Sequence, residues 1–322
     1  MKNVQRVQLG RWEMDAWYFS PYPEEFTNLP MLYLCPFCLE YFPQPRQFER
    51  HRAKCTLLHP PGNEIYYDGT ISFWEVDGKV ERRWCRNLSL LSKLFLDHKT
   101  VYFDVDPFWY YVMTISDEKG HTVLGYFSKE KESSLNYNLA CILTLPCHQR
   151  KGYGKLLIAF SYLLSLREGK VGSPEKPLSD LGLLSYLAYW SEVLAERLVE
   201  WKEHSVSLEE LSHFTGMTTD DVTLTLKFLD ALRIRDGRHV VVLTNKMVEI
   251  AEKALVKKNK SQIHPDCLHW VPPDARARVG AVAGEVRGLG FGIQQAVVGR
   301  SGADEWAKPV PRKGYTEAGA QR

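Results

Sequence analysis

The sequence predicts a mixed α/β (α+β) protein with a zinc module at its N-terminal end. Three observations predict it. Strand signals separated by turn residues recur between about residues 70 and 145. A glycine-rich basic turn then opens an apolar helix. Four metal-ligand side chains stand at finger spacing before residue 60.

The zinc module comes first along the chain. Cys35-x2-Cys38, twelve residues, then His51-x3-Cys55 is the spacing of a treble-type C2HC finger. Two thiolates on a knuckle and a His/Cys pair one helical turn apart can close a tetrahedron around Zn²⁺. Four protein ligands leave no open position for catalysis, so the site is expected to be structural. Arg46, Arg50, Arg52 and Lys54 around it leave a nucleic-acid reading open, while Phe37, Leu39, Phe42 and Phe48 supply a face for docking on a neighbour.

Ile71 to Val76 follows as a strand ending in the turn dipeptide Asp77-Gly78, then a short helical pattern over Leu88 to Leu96. Val101 to Val105, Phe108 to Ile115 and Thr122 to Phe127 read as strands, the last two joined by Asp117 to Gly120. Leu139 to Leu145 reads as one more, stopped by Pro146. Helices are expected over Gly154 to Leu166, closed near Gly169, and over Leu183 to Trp201. Ser207 with Glu210 reads as a capping box, and Thr218 or Thr219 opens another helix. A short strand over His239 to Leu243 follows, so residues 205–245 resemble a winged-helix unit or, alternatively, a helical packing subdomain.

The expected organisation is an N-terminal region with the finger (1–75), a catalytic core (76–200), a winged-helix-like segment (201–270) and a disordered tail (271–322). Nine of the 22 glycines fall in that tail, mixed with Ala, Arg and Pro without periodicity. The net charge of +2 gives no bulk field for nucleic acid. No apolar run is long enough for a membrane span and no basic-then-apolar leader opens the chain. Seven cysteines, an odd number with three beside a histidine, fit metal binding and free thiols in a reducing compartment, nucleus or cytosol.

The chemistry concentrates between Cys141 and Glu175. Gln149-Arg-Lys-Gly-Tyr-Gly-Lys155 follows an apolar strand and opens a helix. Such a turn leaves main-chain N–H groups unpaired where the helix dipole favours an anion. It lacks the Lys-Ser/Thr ending of a nucleotide P-loop, so a pyrophosphate-bearing acyl carrier fits better than Mg²⁺-ATP. Cys141 just before the turn and Glu175 just after it are the two candidate reactive groups.

Residues from about Gly10 to Trp270 resemble the catalytic domain of the MYST family of lysine acetyltransferases. The resemblance is carried by Trp17-Tyr18-x-Ser20-Pro21-Tyr22-Pro23, the finger spacing, His59-Pro60-Pro61-Gly62-Asn63-Glu64-Ile65-Tyr66 and Leu96-Asp97-His98-Lys99-Thr100. It continues through Gly125 to Lys131, Asn138-x-x-Cys141-Ile142-Leu143-Thr144, Gln149 to Lys155 and Pro174-Glu175-x-Pro177-Leu178-Ser179-Asp180-Leu181-Gly182. It implies a GNAT-like core holding acetyl-CoA through the backbone of Ile142, Leu143 and Thr144 and of Arg150, Lys151, Gly152, Tyr153, Gly154 and Lys155. Ser179 and Lys257 match further cofactor contacts, and Lys99 matches the family's autoacetylated lysine.

The resemblance also implies that Glu175 is the general base. A substrate lysine is an ammonium of pKa about 10.4 and must lose a proton before it attacks a thioester. Cys141 admits two readings, an acetyl-cysteine intermediate or a lining of the acetyl pocket during direct attack. The implied substrates are histone tails or nucleosomes in the nucleus. Subunits of a multiprotein acetyltransferase complex are implied as partners, nucleic acid being met only indirectly or weakly and no membrane being involved. Asp180 and Glu192 are candidate acidic contacts for a basic tail. Two departures stand out: Pro146-Cys147-His148 where the family has Pro-Pro-Tyr, and Tyr186-Leu187-Ala188-Tyr189-Trp190 where it has Tyr-Arg-Ser-Tyr-Trp. A catalytically weak chromatin scaffold, or an enzyme acting on non-histone proteins, is the alternative function.

Overall fold

A computed structural model describes residues 2–99, 104–201, 206–235, 238–257 and 262–273. The strand expected over Val101 to Val105 lies largely outside the described residues, as does the tail beyond residue 273. The compact unit is Met1–Pro272.

The first 60 residues, in which the sequence showed aromatics and prolines rather than strands, build a sheet. β1 (Val4–Leu9) pairs antiparallel with β2 (Trp12–Asp15) and parallel with β3 (Leu29–Leu34), which pairs with the short β4 (Tyr41–Phe42). Helix α1 (Pro45–Arg52) follows, with proline in its first turn where no N–H is needed. The sheet buries Val4, Val7, Leu32 and Leu34 completely.

The central sheet has the order β10-β8-β7-β6-β5, all antiparallel: β5 (Asn63–Tyr67), β6 (Ile71–Asp77), β7 (Phe108–Asp117), β8 (Gly120–Glu130) and β10 (Cys141–Thr144). Between β6 and β7 lies α2 (Arg82–Lys93), six residues earlier than the pattern over Leu88 to Leu96 suggested. β6 is buried on both faces, which is why it reads as a continuous apolar run. Trp74 and Val76 face the core shared with α2 and the N-terminal sheet, while Ile71 and Phe73 face α3 (Tyr153–Arg167). Phe73 stacks on Phe160 of α3 with ring centroids 3.7 Å apart. The indole of Trp84 donates to Phe37 O at 2.8 Å and so fastens α2 to the finger.

The single strand expected from Leu139 to Leu145 is two strands. β9 (Tyr137–Leu139) stops before Ala140, and β10 begins at Cys141. Ala140 N donates to Ser128 O and Cys141 N to Ser128 Oγ, so two residues stand opposite one and the strand bends. β9 pairs instead with β11 (Ser173–Pro174), in parallel.

Helix α4 (Asp180–Glu200) is capped by Ser179, whose Oγ accepts from Gly182 N. Ser207 and Glu210 form the expected capping box of α5 (Leu208–Thr215), and Thr218 caps α6 (Thr219–Phe228). The hairpin of β12 (Leu232–Arg235) and β13 (Arg238–Val241) and helix α7 (Asn245–Lys257) complete a helix–turn–helix–hairpin–helix unit. Its core joins α4 through Trp190, Leu194 and Leu198 to Leu211, Val222, Leu226 and Met247.

Candidate acetyl-carrier cradle and zinc centre

The zinc ligands come together as their spacing required. One ligand atom each from Cys35, Cys38, His51 and Cys55 all lie within 4.8 Å of one another. Cys35 Sγ and Cys55 Sγ are 3.9 Å apart, close to the roughly 3.8 Å edge of a tetrahedron with Zn–S bonds of about 2.3 Å. His51 Nε2 is 3.1 Å from Cys38 Sγ. Arg52 Nη1 donates to Cys35 Sγ at 3.2 Å, placing a cation beside the thiolate set. The donors fit Zn²⁺.

The glycine-rich turn is built from two left-handed residues. Arg150 has φ +61° and Gly152 φ +90°, so the chain folds sharply between Gln149 and the start of α3. Among the described residues, the main-chain N–H groups of Arg150, Gly152, Tyr153 and Gly154 donate to nothing, while that of Lys151 closes the turn over residues 149–150. Lys155 N already donates to Gly152 O at 3.1 Å, and its ammonium pairs with Glu192. The free amides therefore end one residue earlier than expected, and Glu192 is engaged rather than free for a basic peptide. Arg150 and Lys151 are exposed at the rim.

β10 is the edge of its sheet, and register decides which of its amides are open. Leu145 N donates to Leu124 O in the same register that pairs Leu143 with Tyr126. In an antiparallel ladder the hydrogen-bonded pairs alternate. Leu143 is thus spent on β8, while the main chain of Ile142 and Thr144 faces the open edge. Thr144 O there accepts from Gln149 Nε2 at 3.0 Å, tying the turn to the strand. β10 lies this close only because β8 has a glycine: a Cβ on Gly125 would stand 2.4 Å from Leu143 O.

Glu175 follows β11, and its N–H donates to Leu139 O at 2.8 Å, beside the bend that starts β10. Its side chain is exposed at the tip, yet partial desolvation of the carboxyl raises its pKa above the ordinary carboxylate value. Glu130, at the end of β8, raises it further, and Lys99 opposes the shift. Glu130 lies in the Gly125 to Lys131 block but was given no role by the sequence reading, because it is far from Glu175 in the chain. Lys99 Nζ is 3.6 Å from Cys141 Sγ. Lys99, Cys141 and Glu175, distant in sequence, thus meet at one place.

Ser179 is held as the cap of α4. Asp180 is exposed in the first turn of that helix. Lys257 ends α7. His148, at one of the departures, is buried, with its Nε2 unpartnered and its ring edge-on to Trp12.

Comparison with known proteins agrees with this arrangement. The MOZ/SAS family model matches residues 59–268 and the MYST family zinc finger domain matches residues 1–55. The chain is 57% identical over 276 residues to "Histone acetyltransferase esa1" of Emericella nidulans, covering 85% of this chain and 54% of that protein. It is 56% identical over 273 residues to "Histone acetyltransferase ESA1" of Yarrowia lipolytica, covering 85% and 58%. With the ESA1 protein of Saccharomyces cerevisiae it shares 55% identity over 273 residues, covering 85% and 61%. The chain spans little more than half the length of these curated relatives. A strand-edge and helix-start cradle, a zinc finger packed beside it, and matches along both segments lead to one conclusion: this chain belongs to the MOZ/SAS family and carries the MYST family zinc finger domain.

Proposed function

We propose that this protein transfers the acetyl group of acetyl-CoA to lysine ε-amines of histone tails. The observation that carries the reading is the set of four free amides at Arg150, Gly152, Tyr153 and Gly154, lying beside a strand edge that ends near Cys141, Lys99 and Glu175. Those amides and the N-terminus of α3 suit a diphosphate, and the open main chain of Ile142 and Thr144 suits the amide-bearing arm of the carrier. Ser179 and Lys257 extend the same surface in this reading. The finger is taken as the structural part of an N-terminal region to residue 75, the core as residues 76–200 and the winged-helix-like unit as residues 201–270.

Glu175 acts as the general base. Its raised pKa lets it accept a proton from the incoming ammonium, and Glu130 adds negative charge that favours a cationic substrate. The neutral amine then attacks the thioester carbonyl directly, with Cys141 lining the acetyl pocket and Lys99 as the modified lysine beside it. Histones place the activity on chromatin in the nucleus, in the company of complex subunits. Retention of Glu175 and of both cradle glycines argues against a scaffold with a decayed core. The direct test is labelled acetyl-CoA with nucleosomes and the mapping of acetylated lysines against a Glu175→Gln control. Absence of transfer by the zinc-loaded protein, with coenzyme A still bound, would refute the reading.

A further inference from the structure

The strand that delivers Glu175 is only two residues long, too short to hold the loop by its own pairing. Its inner anchor is the bond from Glu175 N to Leu139 O. The outer anchors come from the helical unit. Gly172 N donates to Gly216 O at 2.8 Å, and Gly172 forms a parallel bridge with Met217. Lys176 Nζ meets Asp221 Oδ1 at 3.0 Å.

Asp221 is an unusual carboxylate. It occupies the third position of α6, where its N–H is capped by Thr218 Oγ1, and its side chain is 1% exposed. Acidic residues in a first helical turn are normally solvated. Asp221 Oδ2 has no hydrogen-bond partner, and Lys176 is the one ion-pair partner of the residue among the described residues. A buried carboxylate so placed depends on its countercharge. Lys176 is the neighbour of Glu175 at the end of β11, so the two residues share one short stretch of main chain. Fixing Lys176 into the helical unit on one side, with Glu175 N held by Leu139 O on the other, restrains the main chain that carries the Glu175 carboxyl near Lys99 and Glu130.

We infer that Asp221 is a positioning residue for the general base: through Lys176 it holds the 172–176 loop so that the Glu175 carboxylate stays beside Lys99 and Glu130. The inference rests on the reading of Glu175 as the base. It assigns to the helical unit a part in positioning the general base.

The test uses the zinc-loaded full chain, acetylating a histone-tail peptide across pH 5.5 to 9. Asp221→Asn keeps the shape and removes the charge. It is expected to lower kcat about tenfold, short of the hundredfold that a misplacement near 1 Å can cost, with KM for acetyl-CoA unchanged. The acid limb of kcat/KM should move to lower pH, because a carboxyl released from its partly desolvated position is better hydrated. Glu130 and Lys99, the charged groups that face Glu175, are untouched by the substitution. Lys176→Arg should keep both rate and limb. Lys176→Gln, which retains an amide donor towards Asp221, gives the same reading if Asp221→Asn does not fold. A fall in melting temperature with kcat and the acid limb unchanged in these variants would overturn the inference, leaving the pair a mere helix anchor. Glu175→Gln run alongside separates the two ideas: if it keeps full transfer, the base reading itself fails.

Discussion

Gly154→Ala separates the two jobs of a residue at the mouth of α3. Gly154 has ordinary helical geometry, and a Cβ there would meet only Thr144 Oγ1, at 3.6 Å, which is normal contact. Alanine is favoured over glycine inside a helix by about 1 kcal/mol. The free protein should therefore melt at the same temperature or slightly higher. The added methyl, however, lies beside β10 where the free amides of Arg150, Gly152, Tyr153 and Gly154 are open, and it holds a bound diphosphate away from them. Losing one charge-assisted hydrogen bond of about 1.5–3 kcal/mol weakens coenzyme A binding by roughly ten- to 150-fold. Gly152→Ala is the complementary case. Nothing lies within 4 Å of its Cβ, but φ is +90°, so an alanine is strained by roughly 1–2 kcal/mol and both stability and affinity should fall. Titration calorimetry with coenzyme A and thermal melts on zinc-loaded protein read both quantities. Wild-type affinity in a stable Gly154→Ala protein would show that no ligand approaches these amides closely.

Four further outcomes follow from the same geometry. Glu175→Gln should cut transfer by about 10²–10⁴-fold without changing coenzyme A affinity, and the wild-type acid limb should lie above the ordinary carboxylate pKa; equal affinity with undiminished rate would remove the base role. Cys141→Ala should keep near-full turnover at saturating acetyl-CoA, and loss of turnover with intact binding would restore the acetyl-cysteine route. Burial, with Lys151 and Arg11 nearby, lowers the His148 pKa to about 4 from 6.5, so the unfolded chain takes up its proton first as pH falls. Stability should then decline below pH 6.5, by up to about 1.4 kcal/mol per unit until pH 4, and pH-dependent melts of His148→Leu should be flatter. Stripping zinc, or Cys55→Ala, should release the finger from Trp84 and lower the melting temperature, with circular dichroism showing lost structure; an unchanged melt would mean the metal is dispensable.

The finger was legible because metal geometry constrains sequence spacing directly: Cys35, Cys38, His51 and Cys55 meet as their intervals require. The turn at Gln149 to Lys155, the capping box at Ser207 and the central meander were legible for a similar reason, since each is a local pattern with a local cause. The N-terminal sheet was not, because β1 pairs in parallel with β3 across residues 10–28, a stretch rich in aromatics and prolines, and its short strands carry little periodicity of their own. The break at Ala140 was missed because it arises from Ser128 on another strand, which bonds both Ala140 N and Cys141 N.

By itself the sequence determined the chemical inventory: a zinc tetrahedron, a turn with unsatisfied amides, a thiol and a carboxylate. Tertiary structure alone decided which of these groups work together. It turned Ile142 and Thr144 outward and Leu143 inward, spent Lys155 and Glu192 on each other, and brought Lys99 and Glu130 to Glu175. Ligand spacing and turn chemistry act over a few bonds and are written in the order of residues. Register, desolvation and ion pairing act through space, and only the folded chain sets them.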